Sequence, residues 1–411
     1  MLTILFRACP FFFRLFSEMS MTIRCQSCYL EIPQELTCLI LENLRNDTSS
    51  LKHCSLVCRA WLNATRTYLF RRAILTPKNI EHFTLLFIDS LSTIRSHVRR
   101  LELRRIDCSN RRVTANFTST LTRLHLHDMT FNAFIDILDV ICSFPYLQSV
   151  ALDELTIETN PSETSARIQN KVLPSSVNSL RYRDSQYLRT LTSWLLHHKN
   201  IPKLSNFDIG PIDEENTFEV GKYLVSIGPA LKRFSFSFKF GYNVHACTLQ
   251  PKLQTRLTDD HATPLKIFSA AKRFKELFGL EVCRDLGSLT GLQSLQFDNF
   301  IHFGNYTIQE GVFWGPRVIA SIRAMNIREV VLGVSLRRAG ELDKFNIRWE
   351  FLDEVFTSMD GSYANLVSLK FEITGRVNID GIASLIRSRL PGCEKRGILQ
   401  FCRENLNYKH Y

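Results

Sequence analysis

The sequence predicts an α/β protein: a small helical unit near the N-terminus, then a long irregular array in which β-strands and helices alternate. Three observations carry this. Between Ile32 and Phe70, apolar residues recur at helical spacing on either side of a polar break. From Val98 onward, a short motif that is apolar at its first, fourth, sixth, ninth and eleventh places keeps returning, with the period of two expected of a strand inside it. Between its copies lie stretches of helical periodicity, and strands separated by helices require a parallel sheet with the helices on its outer side.

The chain has 411 residues, room for two or three domains, and its 45% hydrophobic and 22% charged residues exclude a disordered chain. Residues 1–29 are expected to form a poorly ordered N-terminal tail. Arg7, Pro10 and Arg14 interrupt its apolar run, so no membrane-spanning helix is expected there and no membrane partner is assigned. The twelve cysteines are scattered rather than framed. Several of them, Cys38, Cys54, Cys58 and Cys142, fall on apolar helix faces, where a free thiol packs as a small hydrophobe. This usage favours a reducing compartment, cytoplasmic or nuclear.

Residues 30–76 form the first domain. Leu36, Leu39, Ile40 and Leu44 share one helical face, and the helix starts at Pro33, whose missing N–H has no partner to lose in a first turn. The run Asp47, Thr48, Ser49, Ser50 breaks the pattern and offers N-caps for a further helix. A second helical stretch carries Leu51, Cys54, Val57, Cys58, Trp61 and Leu62 and continues to Phe70. Such a short helical unit buries too little apolar surface to fold unaided, so it needs a partner or a following domain.

Ile32-Pro33, Glu35-Leu36, Ile40-Leu41 and Leu44, followed by Leu51, Cys54-Ser55, Val57-Cys58-Arg59 and Trp61, resemble the F-box. Ile32 stands where that family usually has leucine. The resemblance implies a three-helix module that docks on a Skp-type adaptor and thereby on a cullin ubiquitin ligase. It places Ile32, Pro33, Leu36, Ile40, Leu41, Leu44, Leu51, Val57, Cys58 and Trp61 at the adaptor contact.

Residues 77–411 form the second domain. Its clearest motif copies begin at Val98, Leu121 and Leu147, and looser ones at Val177, Leu204, Leu231, Leu292, Ile327 and Leu366. The early spacing is near that of leucine-rich repeats, while a longer gap separates Leu231 from Leu292. Helical faces fall at Phe131–Cys142, Leu188–Leu195, Val220–Ile227, Phe268–Phe278 and Ile382–Leu390, with a short apolar run, Ile398–Phe401, to close the array. The asparagine that recurs at the bend of regular leucine-rich repeats is missing, so an irregular leucine-rich solenoid is expected. F-box, irregular array and closing segment in that order resemble the expanded F-box families of mushroom-forming fungi.

The formal net charge is +11, and residues 95–112 concentrate it: Arg95, Arg99, Arg100, Arg104, Arg105, Arg111 and Arg112 stand against Glu102 and Asp107. Side chains between the apolar strand places point away from the helices, towards the concave face of a solenoid. Arg100, Arg104, Arg123, Arg181, Arg183 and Arg233 are the candidates there for gripping a protein substrate, because the guanidinium fork suits carboxylate and phosphate groups, as in an acidic or phosphorylated segment. Nucleic acid ranks below a protein substrate.

Cys25 and Cys28 form a CxxC with no second pair within reach, so no metal site is assigned. There is no Gly-rich phosphate loop, GxSxG or HExxH, so no catalytic residue and no cofactor is nominated either. The expected function is that of a non-catalytic substrate-recognition subunit of a Skp/cullin/F-box ubiquitin ligase. The alternatives are an F-box scaffold working outside the ligase, and a basic module for nucleic acid or anionic surfaces.

Overall fold

The structure is a computed structural model that describes residues 32–88, 94–106, 120–158, 168, 170–184, 186–238, 286–302, 309–345, 347–359 and 361–403. The expected tail at 1–29, the Cys25/Cys28 pair and the helix expected across Phe268–Phe278 lie outside these residues.

Three helices come first: α1 (Gln34–Asn43), α2 (Thr48–Ser55) and α3 (Arg59–Leu69). Pro33 is the residue before α1 rather than its first helical residue. Of the four possible caps, Asp47 is the one used: its Oδ1 accepts the Ser50 N–H at 3.0 Å and its Oδ2 the Ser50 hydroxyl at 2.6 Å. The single stretch expected from Leu51 to Phe70 is two helices. The Leu56 and Val57 amides bond back to His53 and Cys54, and Cys58 is extended. That corner lets α2 and α3 fold onto one core of Leu41, Leu51, Cys54 and Trp61, with Ile40, Leu44, Val57, Ala64, Tyr68 and Leu69 packed around it. Inside α3, the buried Thr65 hydroxyl donates to the Trp61 carbonyl at 2.7 Å.

Among the described residues, eleven strands form one sheet, every neighbouring pair parallel and every strand beside the next one in the chain. The strands are β1 (Arg72–Leu75), β2 (Arg100–Arg104), β3 (Arg123–His127), β5 (Ser149–Asp153), β7 (Ser179–Tyr182), β8 (Asn206–Ile212), β9 (Arg233–Phe238), β10 (Ser294–His302), β11 (Glu329–Ser335), β12 (Ser368–Thr374) and β13 (Leu399–Arg403). A separate two-stranded ladder joins β4 (Thr130–Phe131) to β6 (Thr156–Ile157). Each of the nine motif copies gives a strand that opens two residues after its first apolar residue. The strand β1 was not expected; it lies inside the 30–76 segment, directly after α3, with Ala73 and Leu75 in the sheet's core.

The copies are joined in one way throughout. The carbonyl of a residue at the second place accepts the N–H groups of the second and third places of the next copy: Arg99 from Thr122 and Arg123, Thr122 from Gln148 and Ser149, Gln148 from Asn178 and Ser179, and so on to Arg328, which takes Val367 and Ser368. The eighth place is a bend. Arg105, Asp128, Glu154 and Asn299 hold it at φ of 55°, 52°, 55° and 55°, the left-handed region that non-glycine residues enter mainly as Asn or Asp.

The helices pack on the sheet face that carries the fourth and sixth places: α4 (Ile80–Ile88), α5 (Phe134–Cys142), α6 (Leu188–Leu196), α7 (Glu214–Ile227), α8 (Gln309–Ser321), α9 (Trp349–Thr357), α10 (Ile379–Arg389) and α11 (Pro391–Lys395). Leu124, Leu126, Leu180 and Phe297 share one core with Ile137, Leu191, Leu224 and Ile386. Phenylalanines fill it in the middle strands, with ring centroids of Phe234 and Phe236 at 4.9 Å and of Phe236 and Phe297 at 4.6 Å. The helices α8 and α9 were not anticipated. Pro391 opens α11 instead of ending helical structure, and Asp353 of α9 holds that helix by accepting the Gly392 and Cys393 amides, each at 2.8 Å.

Candidate functional site

Two faces present chemistry. The first is on the helical module. Of the ten residues assigned to the adaptor contact, Ile32, Pro33, Leu36 and Cys58 are exposed, Ile40, Leu44 and Val57 are half-buried, and Leu41, Leu51 and Trp61 are enclosed in the module's own core. In this chain the last three side chains therefore set the helix packing rather than offer surface. Two leucines outside that set are exposed: Leu39 on α1, and Leu56 at the α2/α3 corner, which is 78% accessible. Large apolar side chains held open on so small a unit are unfavourable in water. The corner that exposes Leu56 is the break that helical periodicity alone did not show.

The module is tied directly to the sheet. The helix α3 ends at Leu69 and β1 begins at Arg72, and the Arg71 carbonyl accepts the Arg99 and Arg100 amides at 3.0 and 2.9 Å. Thr67 of α3 also reaches His97 at 3.4 Å.

The second face is the side of the sheet opposite the helices, lined by the third, fifth and seventh places of the motif. Its dominant feature is a chain of ion pairs running across the strands. Glu102 takes Arg72 at 2.7 Å and also Arg104. Its carboxylate lies 3.8 Å from His125 Nδ1, and His125 Nε2 meets Asp153 Oδ2 at 2.8 Å. Arg181 lies 3.2 Å from Asp153 and 3.5 Å from Asp208, and Arg183 contacts Asp208 at 2.6 Å and Asp298. Gln296 donates to the other Asp298 oxygen at 2.8 Å.

Glu102, Asp153 and Asp298 are buried. Burial pushes the Glu102 carboxyl up, but hydrogen bonds from Arg72 and Arg104 and the nearby His125 outweigh it and hold the group below the ordinary carboxylate range. Burial likewise opposes ionisation of Asp153, and the His125 hydrogen bond with Arg181 and Arg183 carries it below that range. For Arg183, desolvation is outweighed by Asp208 and Asp298, which hold the guanidinium charged.

The six candidate arginines thus divide. Arg104, Arg181 and Arg183 already spend their forks on the chain's own carboxylates. Arg100, Arg123 and Arg233 have no such ion pair among the described residues, and Arg123 and Arg233 are exposed. Arg100 stands in register with Arg72 on one side and Arg123 on the other. It loses its proton more readily than an ordinary arginine because it is partly desolvated and beside Arg123, Arg71 and Arg72. Strand neighbours in register are about 4.8 Å apart, so these three cations sit in one short row. The carboxylate half of the network was legible as a residue list, since Glu102, Asp153, Asp208 and Asp298 occupy fifth and seventh places. Which arginine each one meets depended on register.

No described helix is long and apolar enough to cross a membrane. No curated protein matches the chain. Residues 29–76 match the F-box-like family model. The chain therefore carries an F-box-like domain, a kind of module that generally binds Skp-type adaptors and generally serves ubiquitin ligases as a non-catalytic adaptor.

Proposed function

We propose that the chain is the substrate-recognition subunit of a Skp/cullin/F-box ubiquitin ligase, with the helical module on the Skp-type adaptor and the charged face of an irregular leucine-rich array on a protein substrate. The observation that carries it is the F-box-like match over helices that leave Ile32, Leu36, Leu39 and Leu56 open to solvent. The sequential parallel strand order supports the repeat-array reading. The direct α3-to-β1 join supports a proximity role, in which the bound substrate is held at a set distance from the ligase. On the charged face, Arg100, Arg123 and Arg233 are the candidate arginines left for an acidic or phosphorylated substrate segment, and the first two are neighbours in register. The scattered cysteines support a reducing compartment, cytoplasm or nucleus, for this complex.

Capture of a Skp-type adaptor by the full chain tests the reading. Leu36→Glu with Leu56→Glu is expected to lower capture at least about tenfold while changing stability by no more than about 0.5 kcal/mol, because both side chains are exposed. Undiminished capture by this variant sinks the assignment of the adaptor face. Arg100→Glu with Arg123→Glu is expected to keep the adaptor, and the cullin with it, and to lose the substrate. An adaptor complex that never recruits a cullin would instead point to a scaffold outside the ligase.

A further inference from the structure

We propose that His125, His127 and Asp153 form a binding site for a divalent transition-metal ion of the Zn2+ class on the charged face of the sheet. His125 and His127 alternate along β3, so both imidazoles leave the strand on the same side, and their ring centroids are 5.8 Å apart. Asp153 lies on the neighbouring strand β5, in register with His127. One ligand atom from each of the three lies within 4.8 Å of the other two. Metal–nitrogen and metal–oxygen bonds of about 2.0–2.2 Å in a tetrahedron bring ligand atoms closer than that, a closure within reach of side-chain rotation. Two imidazoles and one carboxylate make a familiar donor set for this class of ion.

The surroundings are arranged as a metal site needs. Glu102 stands 3.8 Å from His125 Nδ1, on the far side of the ring from Asp153, where a carboxylate steers the other nitrogen, Nε2, towards a cation. Glu102 is itself fixed by Arg72 and Arg104. Asp153 is 5% accessible, and its Oδ1, though 3.2 Å from Arg181 Nε, makes no hydrogen bond. A buried carboxylate oxygen in that condition is costly unless something completes it. Arg181 keeps Asp208 at 3.5 Å, so Asp153 can turn to a cation without stranding the guanidinium. Three protein ligands leave a fourth position, on the face where a docking molecule would lie, for water or for a donor atom of that molecule. The site stands on this geometry alone and does not depend on the ligase reading.

The full chain, stripped with a chelator that is then removed, is titrated with Zn2+ by calorimetry and with Co2+ by visible absorption. One equivalent is expected to bind, with the d–d absorption of a low-symmetry Co2+ site. His125→Gln with His127→Gln is expected to weaken binding by about 100-fold, and Cys25→Ser with Cys28→Ser to leave it unchanged. Should the double histidine variant fail to fold, His127→Gln alone, on a half-buried side chain, serves in its place with an expected loss of about tenfold. Zn2+ is further expected to raise the unfolding temperature of the unsubstituted chain but not of the histidine variant. Absence of binding, binding that survives loss of the histidines, or binding that disappears with Cys25 and Cys28 overturns the proposal.

Discussion

The helical module and the sheet solve the problem of burying apolar surface in opposite ways. The sheet buries one long core within its own chain. Its apolar places face the helices, its aromatic rings stack on one another, and on the other side Glu102, Asp153, Asp208 and Asp298 are matched by Arg72, Arg104, Arg181 and Arg183. The module has a core of four buried hydrophobic side chains and leaves Ile32, Leu36, Leu39 and Leu56 in water. The sheet domain also leaves Leu85, Val172, Met359 and Val367 exposed, but against a far larger core, whereas the module exposes as many large apolar side chains as its core has members. The difference puts most of the buried apolar surface in the sheet and makes the module the region whose exposed apolar surface is large for its core.

Trp61→Ala should have the largest effect, about 4 kcal/mol within the module, since it empties a core with few other members. Adaptor capture should be lost while the sheet's unfolding transition, followed by circular dichroism, stays in place. Joint collapse of both would erase the distinction between them. Asp298→Ala should cost about 2 kcal/mol, because it removes one of the two carboxylates that hold the half-buried Arg183 and leaves it Asp208 and the Ser235 hydroxyl. Denaturant unfolding measures it, and adaptor capture should be untouched.

Acid sharpens the contrast further. Glu102 and Asp153 ionise at lower pH in the folded chain than in the unfolded one, so their contribution is complete above the ordinary carboxylate range, about pH 4 to 4.5, and is lost as pH falls below it. The denaturant midpoint should drop as the pH is lowered from about 5 to about 3, and less steeply in Glu102→Gln. The smallest effect is expected at the cap of α2: Asp47→Ala should lower the module's thermal unfolding temperature only slightly, because the cap it removes is exposed.

Much of the sheet was legible in the sequence because one rule generated it. The apolar residue at the first place of every copy, from Val98 to Leu366, is buried, and a strand opens two residues later. The strand β1 escaped because its opening apolar residue, Phe70, directly follows the last residue of α3 and so read as the end of the helical unit. The corner at Leu56–Cys58 escaped for a related reason: apolar spacing runs through it undisturbed, and only packing onto Trp61 requires the chain to turn. At the candidate site, face membership followed from alternation. Whether an arginine is spent or available did not, since that depends on register between strands far apart in the chain. Arg183 and Asp298 are the plainest case.

The doubly used carbonyl at the second place has a consequence for how such a chain can change over time. Each copy offers its successor the same backbone acceptor, from Arg99 to Arg328, whatever side chain stands there. The joint is thus written in the main chain and is indifferent to sequence. A copy gained by duplication or lost by deletion meets a ready fitting on either side. Selection can then lengthen, shorten or re-letter the exposed strand places without renegotiating how neighbours are held together.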